Sequence, residues 1–184
     1  MLKKFLKLKL PEKLWIIFHI FIAKRAWKIT EEVQQIAVQM ENDSDLDGDG
    51  NGGQVDAFRH SLWMASLSQQ IQPRKAYLLG VAHEKGNKED YKKYRNEDGT
   101  IPDAIACEMD LRNNKIGIAI GSKHKNVSQT QLIQIIKQAI LDGKLWKIKK
   151  NREGDYIDWN GKVLTKEDYQ GKWENEKCLV PTDF

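Results

Sequence analysis

The 184-residue chain reads as a mainly helical, bundle-like domain with a small antiparallel β-meander at its C-terminal end. Three features carry that expectation. Apolar residues recur at helical spacing in blocks between Thr30 and Ile140. Proline and glycine punctuate those blocks where helices begin and end. Beyond Lys144 the period falls to two, with turn-forming pairs between the alternating stretches. The length suits one compact unit, residues 1–143 forming the helical part and 144–184 a β appendage packed on it. With 40% apolar residues the chain can bury a core and is not disordered, and a net charge of +4 permits an anionic partner without requiring one.

The chain opens with lysines alternating with leucines, MLKKFLKLKLPEK, and a helix is expected to begin near Pro11, a residue tolerated in a first turn. The apolar run Leu14 to Ala23 falls short of the ~20 residues that span a bilayer. It also leads to Lys24-Arg25 and not to a small-residue cleavage site, which argues against a signal peptide. Two roles remain for it. The favoured one is a helix central to the core. The other is a helix half-immersed in an anionic membrane surface, with Lys3, Lys4, Lys7, Lys9, Lys24 and Arg25 flanking it. A cytoplasmic place follows, membrane-peripheral in the second case, and secretion is not excluded.

Val33, Ile36, Ala37 and Met40 give one buried stripe to a helix starting at Thr30, where Glu31 and Glu32 suit a first turn. A glycine-rich acidic loop ends it. The next helix is expected from about Gln54 to Ile71, with Phe58, Leu62, Ala65 and Leu67 near its apolar face. Pro73 opens a third, PRKAYLLGVAHEKG, with Gly86 as its stop. Lys88 to Thr100 is polar, with a turn at Asp98-Gly99; Pro102 starts a long helix through about Gly121; and Leu132, Ile135, Ile136, Ala139 and Ile140 mark another that closes at Asp142-Gly143. In the tail, LWKIKK, DYIDW and KVLT alternate apolar and polar residues around Glu153-Gly154 and Asn160-Gly161. The lysines around Trp146 match a protected sheet edge better than a nucleic-acid surface, so a nucleic-acid partner is not expected. Cys107 and Cys178 have no metal-site spacing and are expected as thiols, not as a disulfide.

The least ordinary chemistry lies between Asp43 and His60, DSDLDGDGNGGQVDAFRH. Counted from Asp45, the aspartates Asp45, Asp47, Asp49 and, at the twelfth position, Asp56 follow the spacing of an EF-hand-type calcium loop. Asp in place of the usual final Glu shortens the closing ligand by one methylene, which makes bidentate closure harder. The bland alternative is a solvated polar turn.

Polar residues that a core stripe would not choose then recur on three helices. Asp56, Arg59, His60 and Trp63 share one face at i, i+3, i+4 and i+7. His83 and Glu84 follow an apolar run on the next helix. Asp110 and Asn114 stand one turn apart on the long helix, beside Asn113, and Gly117 and Gly121 continue that side where another backbone could come close. Asparagine competes with the helical backbone, so two in succession inside a helix call for side-chain partners. Helical bundles build metal and acid-base sites from such inward-facing side chains.

The strings VDAFRHSLWMA, LGVAHEKGN and EMDLRNNKIG, in this order, resemble an uncharacterised family of bacterial domains of unknown function with a DAFRH, AHE and MDLxNN signature. The resemblance covers about Asp45 to Gly121. Similar domains at the ends of large bacterial toxin-like proteins imply an effector enzyme, whereas this chain is short and stands alone. The resemblance marks Asp56, Arg59, His60, His83, Glu84, Asp110, Asn113 and Asn114 as a set without assigning them a reaction.

The chemistry expected from these residues is metal-dependent hydrolysis of a phosphoester or other ester. A divalent ion, calcium or zinc-like, held by His60, His83 and Asp110 would activate water, with Glu84 as candidate base and Arg59 stabilising developing negative charge. The alternative is a non-catalytic, calcium-stabilised binding or scaffold protein whose polar residues lock the helices together. The chain has no Walker loop, nucleophile elbow, dinucleotide fingerprint or HExxH motif.

Overall fold

A computed structural model describes residues 2–93 and 101–184, so the turn expected at Asp98-Gly99 lies outside the described residues. In chain order the helices are α1 (Leu2–Lys7), α2 (Leu10–Phe18), α3 (Ile20–Met40), α4 (Gln54–Gln70), α5 (Pro73–Lys92), α6 (Ala104–Lys123), α7 (Gln129–Leu141) and α8 (Lys166–Tyr169). Strands β1 (Trp146–Ile148) and β2 (Leu179–Pro181) pair antiparallel, with Lys147 opposite Val180. The mainly helical architecture with a small C-terminal antiparallel sheet is therefore as expected. No described helix is long and apolar enough to cross a membrane.

Helix α4 is the axis of the bundle. Thirteen of its seventeen residues are buried, which is possible because apolar or small side chains occupy every face. Helices α3, α5, α6 and α7 pack around it. The approach of α6 is the closest, and two glycines permit it. A Cβ at Gly117 would stand 2.8 Å from Ser61 Cα, and one at Gly121 would stand 2.7 Å from Ala65 Cα, so only hydrogen fits at either place. Phe58, Leu62, Met64 and Leu67 from α4 meet Leu132, Ile136 and Ile140 from α7 in one apolar cluster.

Several boundaries differ from those read in the sequence. Helix α3 starts ten residues before Thr30, since nothing between Ile20 and Thr30 breaks it; the Thr30 hydroxyl donates to the Ala26 carbonyl one turn back. Gly86 does not stop α5, which continues to Lys92: the glycine is buried, and the stem of Lys9 lies over it. The N-terminal apolar run is not a core helix. It is divided at His19, whose non-helical backbone, φ −129° and ψ 36°, ends α2 before α3 starts, and of α2 only Trp15 is buried. Leu14, Ile17, Phe18, Ile20 and Phe21 are exposed, because a short helix packed on α5 through one side cannot bury the rest of its circumference.

The tail is less regular than a meander. DYIDW and KVLT contribute the single bridges Lys150 to Tyr156 and Ile157 to Val163, and the partner of β1 is the last segment of the chain. Side chains take the turn amides that a ladder would use: Asn151 Oδ1 accepts from Glu153 and Asp155, and Asp158 Oδ1 accepts from Asn160 and Lys162. No disulfide joins Cys107 and Cys178, both of which are buried; burial pushes the Cys178 thiol pKa up.

Candidate metal centre

The glycine-rich loop determines where α4 begins. Asp47 accepts from the Gln54 amide with both carboxylate oxygens, at 3.0 and 2.9 Å, satisfying a donor at the helix start. Gly52, at a φ of +85°, turns the chain inward; a side chain there would also strike Ile148. Its amide donates to Asp56 Oδ2 at 2.7 Å and its carbonyl accepts from Ile148 at 2.7 Å, so β1 and the first turn of α4 hold the same glycine.

One turn further along α4, His60 Nε2 lies 3.4 Å from Asp56 Oδ1 and 3.4 Å from Asp110 Oδ1 on α6. All three side chains are buried, and one ligand atom from each lies within 4.8 Å of the others. This is the one cluster of three such groups found among the described residues. Two carboxylates and one imidazole form a hard, partly open donor set of the kind that suits a divalent cation. Arg59 Nη2 also reaches Asp56 Oδ1, at 2.6 Å, placing a guanidinium at the edge of the cluster.

His83 joins the site from α5. Its ring centroid is 6.2 Å from that of His60, and Trp63 sets its edge against both imidazoles, at 6.4 Å from His60 and 5.5 Å from His83. Trp63 is itself fixed, its indole N–H donating to Thr30 Oγ1 at 2.8 Å. His83 Nδ1 faces Glu12 Oε1 of α2 at 3.1 Å. Burial pushes the Glu12 carboxyl up, but the hydrogen bond and charge of His83, helped by the backbone N–H and charge of Lys9, outweigh it. The net pKa lies below the ordinary carboxylate value.

Two spaces meet at these residues. A small void of about 30 Å³ is bounded by Asp56, Arg59, His60, His83, Asn87 and Asp110. On the outer side a cleft of about 450 Å³ runs between the N-terminal helices and α3; Arg59, His60, Trp63 and His83 border it too. Of the buried cluster, His60 is the member that also borders the cleft.

The structure does not bring all the expected site residues to this point. Asp45 pairs with Lys137 at 2.9 Å, Asp49 pairs with Lys150 and Asp47 caps α4, while Asp56 turns inward to His60. The EF-hand-type spacing therefore has no common ligand point among the described residues, since lysines and backbone amides occupy the carboxylates. In the expected ligand set of His60, His83 and Asp110, Asp56 takes the position of His83, which is turned to Glu12. Glu84 is buried and does not border the void; it accepts from Asn87 Nδ2, a neighbour of the void, at 3.0 Å. Asn113 faces the other way, donating to the Trp146 carbonyl at 2.8 Å and accepting from its N–H at 2.9 Å. Asn114 is buried beside Gly80, and neither amide atom has a hydrogen-bond partner among the described residues.

Glu12 and Asn87 were not singled out from the sequence. The spacing of Asn87 from His83, one turn on α5, could have suggested it. Glu12 lies 71 positions from its partner, and its local pattern reads as a helix N-terminus: its other oxygen accepts from the Lys9 amide at 3.0 Å.

Comparison with known families bears on the same blocks. Residues 13–144 match the model of a domain of unknown function, DUF6973. The chain belongs to this family. The matched span contains Asp56, His60, His83 and Asp110 and ends before β1, so the C-terminal sheet lies outside it. No curated protein and no solved structure matches the chain.

Proposed function

We propose that this DUF6973 protein is a metal-dependent hydrolase of a phosphoester or another ester, with Asp56, His60 and Asp110 as ligands of the ion. One observation carries the proposal: an imidazole nitrogen set equally, at 3.4 Å, from two buried carboxylates, beside a cleft large enough for a substrate. A divalent ion there would supply an activated water and a Lewis acid. Arg59 would steady an anionic oxygen of the substrate. His83, oriented by an ionised Glu12 through Nδ1, is the group suited to take or give a proton, through Nε2. Asn87 and Glu84 would position groups around the void and not react themselves.

The 2.6 Å bond from Arg59 to Asp56 favours a second reading, in which the buried network is a closed lock between helices and the protein is a non-catalytic scaffold. Titration with manganese, zinc and calcium, followed by assay on bis-p-nitrophenyl phosphate and on a p-nitrophenyl carboxylate ester, separates the two. His60→Ala and Asp110→Ala should each abolish metal-stimulated turnover with the helical circular-dichroism spectrum intact. Unfolding of both variants would support the scaffold, and full turnover in either would end the hydrolase proposal.

A further inference from the structure

Half of the exposed large apolar side chains among the described residues, seven of fourteen, fall within residues 6–21. Leu6, Leu10, Leu14, Phe18 and Phe21 follow one another at three- and four-residue intervals across α1, α2 and the start of α3, with Ile17 beside them, the spacing of a helical stripe. Phe21 is 100% exposed and Phe18 is 78% exposed. Monomeric proteins seldom show water so concentrated an apolar surface unless something covers it.

The charge around the stripe indicates what covers it. The first 28 residues carry eight lysines and arginines against one glutamate, while the remaining 156 carry 22 against 25. All of the chain's positive excess thus lies in its first 28 residues, where the one acid, Glu12, is turned inward to His83 and one lysine, Lys9, is turned inward to Asp90. Lys7, Lys24, Arg25 and Lys28 are exposed beside the apolar residues. Exposed phenylalanines and leucines bordered by cations, on described helices none of which is long and apolar enough to cross a bilayer, are the chemistry of a helix lying in the headgroup region of an anionic membrane. A second copy of the chain would bring the same cations against each other, so charge disfavours self-association through this face.

We infer that α1, α2 and the first turns of α3 dock on an anionic lipid bilayer. The same segment supplies Leu8, Lys9 and Glu12 to the wall of the cleft that holds His60 and His83. If the proposed hydrolase activity holds, the ester that reaches the site is one carried by a lipid of that surface. This second step rests on the functional proposal; the docking does not.

The test uses the full chain and vesicles of phosphatidylcholine mixed with phosphatidylglycerol, against vesicles of phosphatidylcholine alone. The protein should sediment with the mixed vesicles, and raised salt should release it. Lys24→Gln should weaken binding about fivefold. Phe18→Glu with Phe21→Glu should abolish binding while the thermal melt stays cooperative. His60→Ala should still sediment but release no product from the vesicles. Binding without hydrolysis of any lipid or soluble ester would leave the docking standing and remove the lipid-ester step. A chain that stays in the supernatant of both vesicle types overturns the inference, as does a dimer that Phe21→Glu dissociates without any vesicle binding.

Discussion

Asn113→Ala separates structural from chemical roles among the polar residues of α6. Asn113 is fully buried and makes two hydrogen bonds to one residue, donating to the Trp146 carbonyl at 2.8 Å and accepting from the Trp146 N–H at 2.9 Å. It acts as a clasp holding β1 against α6. Truncation removes both bonds, leaves a backbone donor and acceptor partly buried without partners, and opens a small cavity. At about 1 kcal/mol or somewhat more for each group, with a further cavity contribution, the loss comes to roughly 2–4 kcal/mol. For a chain of this length that lowers Tm by about 5–15 °C. Asn113→Asp should cost at least as much, since it keeps one acceptor but sets an oxygen against the Trp146 carbonyl. Urea melts of the three proteins, with metal-stimulated turnover measured per folded molecule, provide the readout. Stability should fall while turnover of the folded fraction is kept. Loss of turnover with stability within about 0.5 kcal/mol of the parent would refute the assignment and return Asn113 to the chemistry.

Other outcomes follow from the same geometry. Manganese, zinc or calcium at about a hundred times its Kd should stabilise the fold by ~2.7 kcal/mol; Asp56→Asn and Asp110→Asn should remove the rise in Tm, whereas Asp45→Asn should not, and the reverse pattern in a thermal-shift assay would restore the calcium loop. Because the Glu12 carboxyl is held below its ordinary value, the unfolded chain takes up that proton first as pH falls. The stabilisation it contributes is complete above the ordinary carboxylate range and is lost as pH falls through the folded value. Between about pH 6 and pH 3, Glu12→Gln should therefore show a flatter Tm profile than the parent, and parallel profiles would contradict the Glu12–His83 pairing. Gly121→Val should cost ~3 kcal/mol or more, since its side chain meets the Ala65 backbone, which cannot turn aside; near-parental stability by urea titration would mean that α4 and α6 can separate without cost.

The legible parts of this fold had local causes. The limits of α4 follow from a glycine-rich loop before Gln54 and Pro73 soon after Gln70, and Gly117 and Gly121 signalled a close approach from their spacing alone. The boundaries that went astray depended on a distant partner in one case and on the run of chain before the expected start in the other. Gly86 resembles a stop until Lys9, far off in the chain, is seen to lie on it, and Thr30 resembles a cap until the helix is followed back to Ile20. Asp56, His60 and Asp110 were readable as inward-facing polar residues, Asp56 through its one-turn spacing from His60, but the aspartate spacing also offered Asp56 to a calcium loop; the choice between the two is made by Gly52, which holds the Asp56 carboxylate and is itself held by Ile148. Leu179–Pro181, which pairs with β1, is too short to announce itself.

The burial of α4 on all sides also governs the order in which the molecule can come apart. Its amides are shielded by α3, α5, α6 and α7, and should be among the slowest to exchange with deuterium, approaching the rate set by global unfolding. Helix α2 is held mainly by α5 and should open far more often. Each such opening withdraws Glu12 from His83 while Asp56, His60 and Asp110 stay clasped between α4 and α6. The proposed ion-binding cluster and the carboxylate that orients His83 would therefore sit on parts of different stability, and a partner that holds α2 in place would keep Glu12 on His83 without touching the cluster.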